Sequence, residues 1–493
     1  MSVVQNKIYA FIFIISIFFS SLPNIHSLKA ENDLIVNDVF WKDTSGNFIY
    51  SQGGGVFKFG DTYYWYGVHY KGAETYAASP GGKNSDTSFV SISCYSSKDL
   101  VNWKFENDVL TPKSKGWIQA GWVGRMGVAY CKNTKQYVLL TQHDDNVLFA
   151  TCDTPNGNFE VKNRQHQIEN VVKTGTGDQT VFVDDDGQAY LIFSNQSGRN
   201  HQYVAKLREK DFLEIEPAKE IKKGDGREGN CMFKYKNKYY FCASDLHGWN
   251  SSHSYYMVAD NIFGPYSDWK VMGGTDNDFS HVTQTGFFYT IKGSKQETVL
   301  FCGDRWSDFA GNGLGYNQWV PLTVNGDQVI FNSVSEFHIN SETGEWSVGE
   351  KNNWILNPSF DADRVAQETV AGWKNSGTGT ANSKGGRTGY WCISQWSDQN
   401  FKATISQSIT LPNGTYTLKA YAKSGGDFNA SYIYIKGFGG DDMNVSIASA
   451  GGNWKEFTIK DIKVTNGKCE VGIYTDGKAN AWIRADDFSL VAQ

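Results

Sequence analysis

The chain has no run of lysines or arginines, and its 46 basic residues are outnumbered by 52 acidic ones, giving a net charge of −6. It therefore lacks the basic field that follows a phosphate backbone, which excludes nucleic acid as a natural partner and suits a neutral polymer. Its eight cysteines (94, 131, 152, 231, 242, 302, 392 and 469) include no C-x-x-C pair, so no zinc site is expected. Cys231, Cys242 and Cys302 fall on apolar strand positions, where a buried thiol serving as a small hydrophobe is as good an expectation as a bridge. No stretch of convincing length repeats its apolar residues at helical spacing. No apolar run is long enough to span a membrane either: Ile8 to Leu22, behind Lys7, is too short. With the polar stretch to Ala30, residues 1–30 read as an export signal cleaved between Ser27 and Glu31. No cysteine follows it in a lipid-attachment position. The expectation is an exported, periplasmic or extracellular monomer with no membrane span.

The chain is rich instead in aromatic residues (15%, with 16 Trp and 26 Tyr) and in glycine (51). That is the make-up of a turn-rich β protein with flat ring surfaces. At 493 residues it exceeds the size at which one core usually keeps growing, so two domains are expected.

From residue 31 to 346 a unit recurs: a short apolar strand, a tight polar turn, then a strand rich in Tyr or aliphatics. Its copies begin at Gly55-Val56-Phe57, Gly127-Val128-Ala129, Thr180-Val181-Phe182, Cys231-Met232-Phe233 and Gly286-Phe287-Phe288. Hairpin chemistry joins the strands at Gly60-Asp61, Asn133-Thr134, Asp185-Asp186-Gly187, Lys236-Asn237 and Gly293-Ser294. Five hairpins at this spacing predict a five-bladed β-propeller, which hides its sheet edges by radial closure. Residues 347–353 read as a polar linker. Residues 354–493, with turns at Asn413-Gly414 and Asn466-Gly467, read as a β-sandwich of jelly-roll type. The fold class is all-β, propeller then sandwich.

In a propeller the first strand of each blade lies nearest the axis, so residues just ahead of it converge at one mouth. Aligned on the repeat, these are Gly53, Arg125, Asp178, Glu228 and Gln284. Two carboxylates, a guanidinium and an amide in one concavity suit glycoside hydrolysis, with one acid to protonate a leaving oxygen and polar groups to hold hydroxyls. An isolated Asp or Glu near a turn is ordinarily solvated or a cap; its place in the repeat sets Glu228 apart. Arg125 reads equally as an internal ion pair or a substrate contact. Trp249, Trp122 and Trp306 are the flat surfaces on which a pyranose could stack, Trp249 foremost because it shares a loop with His247. His281 could approach the channel.

Asp-Asp-Asp-Gly after Asp178, Arg-Glu-Gly-Asn at 227–230, Leu246-His247-Gly248-Trp249, Thr283-Gln284-Thr285 and Gly303-Asp304-Arg305-Trp306 make residues 31–346 resemble glycoside hydrolase family 43. They look most like its branch of exo-β-1,3-galactanases and nearby arabinofuranosidases. The resemblance implies a five-bladed, inverting enzyme needing no cofactor for catalysis, acting on galactose- or arabinose-containing plant polysaccharide such as arabinogalactan. It implies Glu228 as general acid and Asp178 as the aspartate that orients it and raises its pKa. Arg125, Trp249, His247, Arg305 and Trp306 are the candidate substrate contacts. The family's usual base position falls on Gly53, where no carboxylate is close. In the galactanase-like branch a glutamine stands in for the base, here Gln284, which we assign to positioning water. That branch also has an acid just before the second-blade arginine, where this chain has Gly124. A non-catalytic sugar-binding protein is the alternative that the loss at Gly53 favours.

The C-terminal segment resembles jelly-roll carbohydrate-binding modules in Leu356-Asn357-Pro358-Ser359-Phe360-Asp361 and Asp486-Asp487-Phe488-Ser489-Leu490. The resemblance implies a structural calcium, with Asp361 and Asp486 as its ligands. Trp391, Trp396 and Trp482 are the rings that could meet sugar there.

Overall fold

The computed structural model describes residues 33–78, 86–173, 175–248, 250–305, 316–362 and 369–493. The export-signal expectation at 1–30, and the expectations placed on Trp249 and Trp306, lie outside the described residues. Five four-stranded antiparallel meanders follow one another in chain order, each pairing its strands in sequence. Their inner strands are β1 (Gln52–Phe59), β2 (Val123–Cys131), β3 (Thr176–Val183), β4 (Glu228–Tyr235) and β5 (Gln284–Lys292). The second strand of the fifth blade is β6 (Glu297–Arg305). These are the five blades of the propeller. A small sheet pairs Leu34–Val36 with Glu336–Ile339, tying the start of the described chain to the end of the fifth blade.

The inner strands are buried along most of their length because each packs between two neighbouring blades. Phe57 meets Phe287 at 5.4 Å between ring centroids, and Phe233 meets Phe288 at 5.2 Å. Trp65, Trp103 and Trp319 form a buried edge-to-face cluster, with centroids 5.0 to 5.8 Å apart. Trp41 joins this cluster at 5.2 Å from Trp319, in packing where a large flat ring buries most area. All eight cysteines are free, Cys231, Cys242 and Cys302 being buried apolar fillers between strands.

Every inner strand carries a β-bulge at the same height. The pairing slips between Gln52 and Gly55, Val123 and Met126, Thr176 and Gln179, Glu228 and Cys231, and Gln284 and Phe287. Bulges twist a strand and re-aim its side chains. Here they turn the first residues of all five strands toward one mouth.

After the propeller come two five-stranded antiparallel sheets with a shared apolar core of Ile, Val, Leu and Phe residues. One sheet contains β7 (Trp391–Trp396) paired with β8 (Trp482–Ala492). The segment 347–353 is not left loose between the two parts. Ser347 and Val348 extend a strand, Asn352 Oδ1 accepts from the Ser335 amide at 2.8 Å, and Asn353 Oδ1 accepts from the Leu490 amide at 2.9 Å.

Candidate active site

A cavity of about 640 Å³ opens at the bulged mouth. It brings together Gly53, Arg125, Asp178, Glu228 and Gln284, joined by Tyr70, Trp122, Gly124, Gln142, Asp144, Asp145, Gln196, Arg199 and Gly248. The bulges correct the equal register in which the five were aligned. Glu228 and Gln284 occupy the first bulge position, Gly53 the second, and Arg125 and Asp178 the third. They share a mouth because the bulge lets residues of unequal register point the same way, not because they are equivalent.

Glu228 is 8% exposed. Its Oε2 accepts from Arg199 Nε at 3.3 Å, the His247 backbone amide also hydrogen-bonds the carboxylate, and Oε1 is buried. Burial first, and then the nearby Asp178 carboxylate, push its pKa up to about 7, against the pull of Arg199 and Arg125. The acid can thus hold its proton near neutrality. Asp178 behaves oppositely. Burial alone would raise it, but Arg125 and Arg199 and the Gly229 amide (2.9 Å to Oδ2) outweigh burial and hold its carboxyl below the usual range. The two neighbouring carboxyls are driven apart, Glu228 upward and Asp178 downward.

Gly229, inside the fourth bulge, has φ +61°, and a Cβ there would lie 2.4 Å from the Thr285 carbonyl oxygen. Only glycine lets this amide reach Asp178 without strain.

Arg125 is the hub. Its Nη2 donates to Gln284 Oε1 at 3.0 Å and its Nη1 to Asp304 Oδ2 at 3.1 Å, and its Nε lies 3.5 Å from Asp178. At 4% side-chain exposure it is a buried cation whose charge is met by carboxylates on either side. Asp304 Oδ1 also accepts from the Gly53 amide at 2.9 Å. The place where sequence left no carboxylate is thus braced from below by one. Burial raises the Asp304 pKa against the pull of Arg125 and the Gly53 amide.

The Trp122 ring stacks on Tyr70 at 5.2 Å and 21°. A Cβ on Gly124 would sit 2.6 Å from Trp122 Nε1 and 2.9 Å from Gln142 Oε1, so glycine here makes room for the indole edge in the cavity wall.

Other expected residues fall elsewhere. His247 pairs with Asp245 at 2.9 Å, next to Gly248 at the rim. Arg305, expected at the sugar, does not line the cavity: it pairs with Asp38 at 3.5 Å and Asp361 at 3.6 Å, because successive residues on β6 face opposite ways and Asp304 takes the axis. His281 is buried beside Asp38, Asp278 and Ser333, away from the cavity. It sits in a left-handed turn, Phe279 to Val282, with φ of 47 to 58°. Such a run costs about 1–2 kcal/mol per residue and persists only when its surroundings hold it.

Asp361 and Asp486, the expected calcium ligands, lie close together beside Asp487, and burial followed by the charges of Asp487 and Asp361 pushes the Asp486 carboxyl up to about 9. Asp361 Oδ1 accepts from the Tyr390 and Trp391 amides and Oδ2 faces Arg305, while Asp486 oxygens accept from the Arg387 and Asp487 amides. Among the described residues no group of three or more His, Cys, Asp or Glu is arranged as metal ligands. Trp391 is core at 6% exposed, whereas Trp396 is 51% exposed and lies directly across from Trp482.

Arg199 and Asp304 are the functional residues that sequence reasoning passed over. Arg199 follows one blade's second strand and Asp304 lies near the end of another's, so a rule built on first strands does not reach them. For Asp304 the Gly303-Asp304-Arg305-Trp306 motif was the available signal.

The family model described as glycosyl hydrolases family 43 matches residues 52–307. Among solved structures, an exo-β-1,3-galactanase from Phanerochaete chrysosporium, seen with β-1,3-galactotriose, superposes with a TM-score of 0.58 at 21% identity. That alignment covers 93% of this chain and 100% of that one. An exo-β-1,3-galactanase from Clostridium thermocellum gives a TM-score of 0.58 at 22% identity, covering 94% and 100%. A 1,6-α-glucosyltransferase from Sporosarcina globispora is 23% identical over 215 residues, 38% of this chain and 17% of that enzyme. Among the described residues no helix is long and apolar enough to cross a membrane.

Proposed function

Since the chain belongs to the glycosyl hydrolases of family 43, we propose that this glycoside hydrolase is an exo-acting, inverting exo-β-1,3-galactanase, with α-L-arabinofuranosidase as the second choice of activity. The observation that carries the reading is the pair Glu228 and Asp178, two carboxyls lining one cavity, of which burial and Asp178 push Glu228 up to about 7 while Arg125 and Arg199 hold Asp178 down. Glu228 donates its proton to the leaving glycosidic oxygen through Oε1. A water on the opposite face attacks the anomeric carbon as the bond to the leaving oxygen breaks with inversion, and the proton that this water sheds passes to solvent in the open cavity. A neutral amide is a poor proton acceptor, so Gln284, fixed by Arg125, orients that water. Trp122 and Tyr70 supply an apolar wall for the sugar ring. The galactanases of the same fold support galactose as the sugar.

The reading is tested by product analysis on galactans, arabinans and arabinogalactans, with the released anomer followed by NMR. Galactose released as the inverted α-anomer is the expected result; zero turnover on all of them and on aryl glycosides moves the protein to a sugar-binding role. The residue that favours that second role is Gly53, whose missing carboxylate removes the ordinary base.

We further propose that the protein is exported, and that the sandwich holds it to polymer through Trp396. The Trp396 indole is 51% exposed and pairs across the sheet with Trp482, which leaves a flat ring face open to polymer. Trp396→Ala is expected to weaken retention on insoluble galactan about tenfold, the scale of one lost stacking contact, as measured by depletion binding.

A further inference from the structure

Asp304 and Arg305 are consecutive on β6 and point opposite ways. Asp304 holds Arg125 and the Gly53 amide inside the active site. Arg305, 6% exposed, reaches outward to Asp38 Oδ1 at 3.5 Å and across to Asp361 Oδ2 of the sandwich at 3.6 Å. The next sandwich residue makes a second connection: the Ala362 carbonyl accepts from Ser251 Oγ at 2.6 Å. Ser251 lies three residues beyond the cavity-lining Gly248. A third contact is made where a Cβ on Gly372 would come 2.4 Å from the Asn277 carbonyl, just ahead of the left-handed turn that leads into Gln284.

Asp38 ties these points together. Its Oδ1 also accepts from Gln318 Nε2 at 2.8 Å, and its Oδ2 lies 3.3 Å from His281 Nε2, within the left-handed turn. The turn is further held by Asp278, whose Oδ1 accepts from the His281 amide at 3.0 Å, and by Ser333. The end of β6, whose Asp304 holds Arg125, and the start of β5, whose Gln284 accepts from Arg125, are therefore both anchored at Asp38. One of them is anchored to the sandwich as well.

We propose that Arg305 is a positioning residue through which the C-terminal sandwich sets the active-site geometry, by fixing the end of β6 so that Asp304 holds Arg125, and Arg125 holds Gln284, in place. The sandwich then belongs to the catalytic machinery in addition to any part it plays in holding polymer. Arg305 suits the task because a planar guanidinium can bridge two carboxylates at once, which a lysine ammonium does less well.

The proposal rests on the hydrolase reading, and its test separates the two. In the full-length protein, Arg305→Gln and Arg305→Lys are compared with wild type for Tm, kcat, KM and the pH profile on β-1,3-galactobiose. Arg305→Gln is expected to lower kcat about 10²-fold, the cost of misplacing a reacting group by about 1 Å, with KM within about twofold. The Lys variant should recover part of that loss. The alkaline limb of the profile should not move, because Arg305 touches neither Glu228 nor Asp178. Folded Arg305→Gln protein with wild-type kcat would overturn the proposal, as would a loss of kcat accompanied by a shifted limb. Should Arg305→Gln fail to fold, Asp361→Asn keeps the Asp38 pair and is read the same way. Failure of wild type to hydrolyse would sink the hydrolase reading alone. The positioning claim is then decided by the crystal structure of the variant: Asp304, Arg125 and Gln284 unmoved would refute it.

Discussion

Replacing the proton on Glu228 by an amide, Glu228→Gln, is expected to abolish hydrolysis of natural galactan, lowering kcat by about 10²–10⁴-fold or more, while galactose still binds. The variant keeps the shape of the side chain and its contact to Arg199, so the cavity stays intact and loss of the proton is the only chemical change. The same substitution carries a signature in stability. The carboxyl's ordinary value is 4.5 and its folded value about 7. Below 4.5 both folded and unfolded chains hold this proton; between 4.5 and about 7 the folded chain alone does, so the folded state binds more protons and wild-type stability falls as pH rises through that window. Glutamine has no proton to lose. The variant should therefore gain in Tm relative to wild type on going from pH 4 to pH 8, as differential scanning calorimetry would show. Equal turnover by the two proteins would remove Glu228 from the mechanism, and a flat Tm difference would show that its carboxyl is not held neutral.

Much of this site was legible in the chain because a propeller is a repeat. Five apolar hairpins of similar spacing carry the architecture, and once the first strands are aligned, Glu228, Asp178, Arg125 and Gln284 fall together without any knowledge of their contacts. What the repeat hides is what breaks it. The bulge in each inner strand adds a residue to one side of a pairing, so Arg125 and Asp178 stand two positions out of register with Glu228 and Gln284. A pattern of alternating residues cannot reveal such a slip. Arg199 arrives from a loop after a second strand, where composition says turn and nothing more. Arg305 is the instructive case. Its neighbour Asp304 goes to the axis, so the two-residue period of a strand sends Arg305 outward, and its role depends on a sandwich contact 56 residues further along the chain. The cause of the Glu228 shift was half visible, since Asp178 was identified as the perturbing anion, whereas burial, the larger cause, is a property of the packed cavity.

Asp178→Asn is expected to act on the rate and on the pH at which the rate falls. In the wild type the alkaline limb of kcat/KM should lie near the Glu228 value of about 7, above which the acid has lost its proton. Asp178 is one of two groups that raise that value, the other being burial. Removing its charge also frees Arg125 and Arg199 from a carboxylate they both approach, at 3.5 and 3.9 Å, and leaves their positive charge to act on Glu228 alone. Both changes favour the ionised form of Glu228, so its pKa must fall and the alkaline limb must move to lower pH. At pH 7 the variant then has less protonated acid and a less firmly held Arg125, and kcat should drop by about 10²–10³-fold. Part of that loss should return at lower pH as the acid regains its proton. A merely structural role for Asp178 would lower the rate by the same factor at every pH, and a limb that stays near 7 in the folded variant would show that burial alone holds the proton on Glu228.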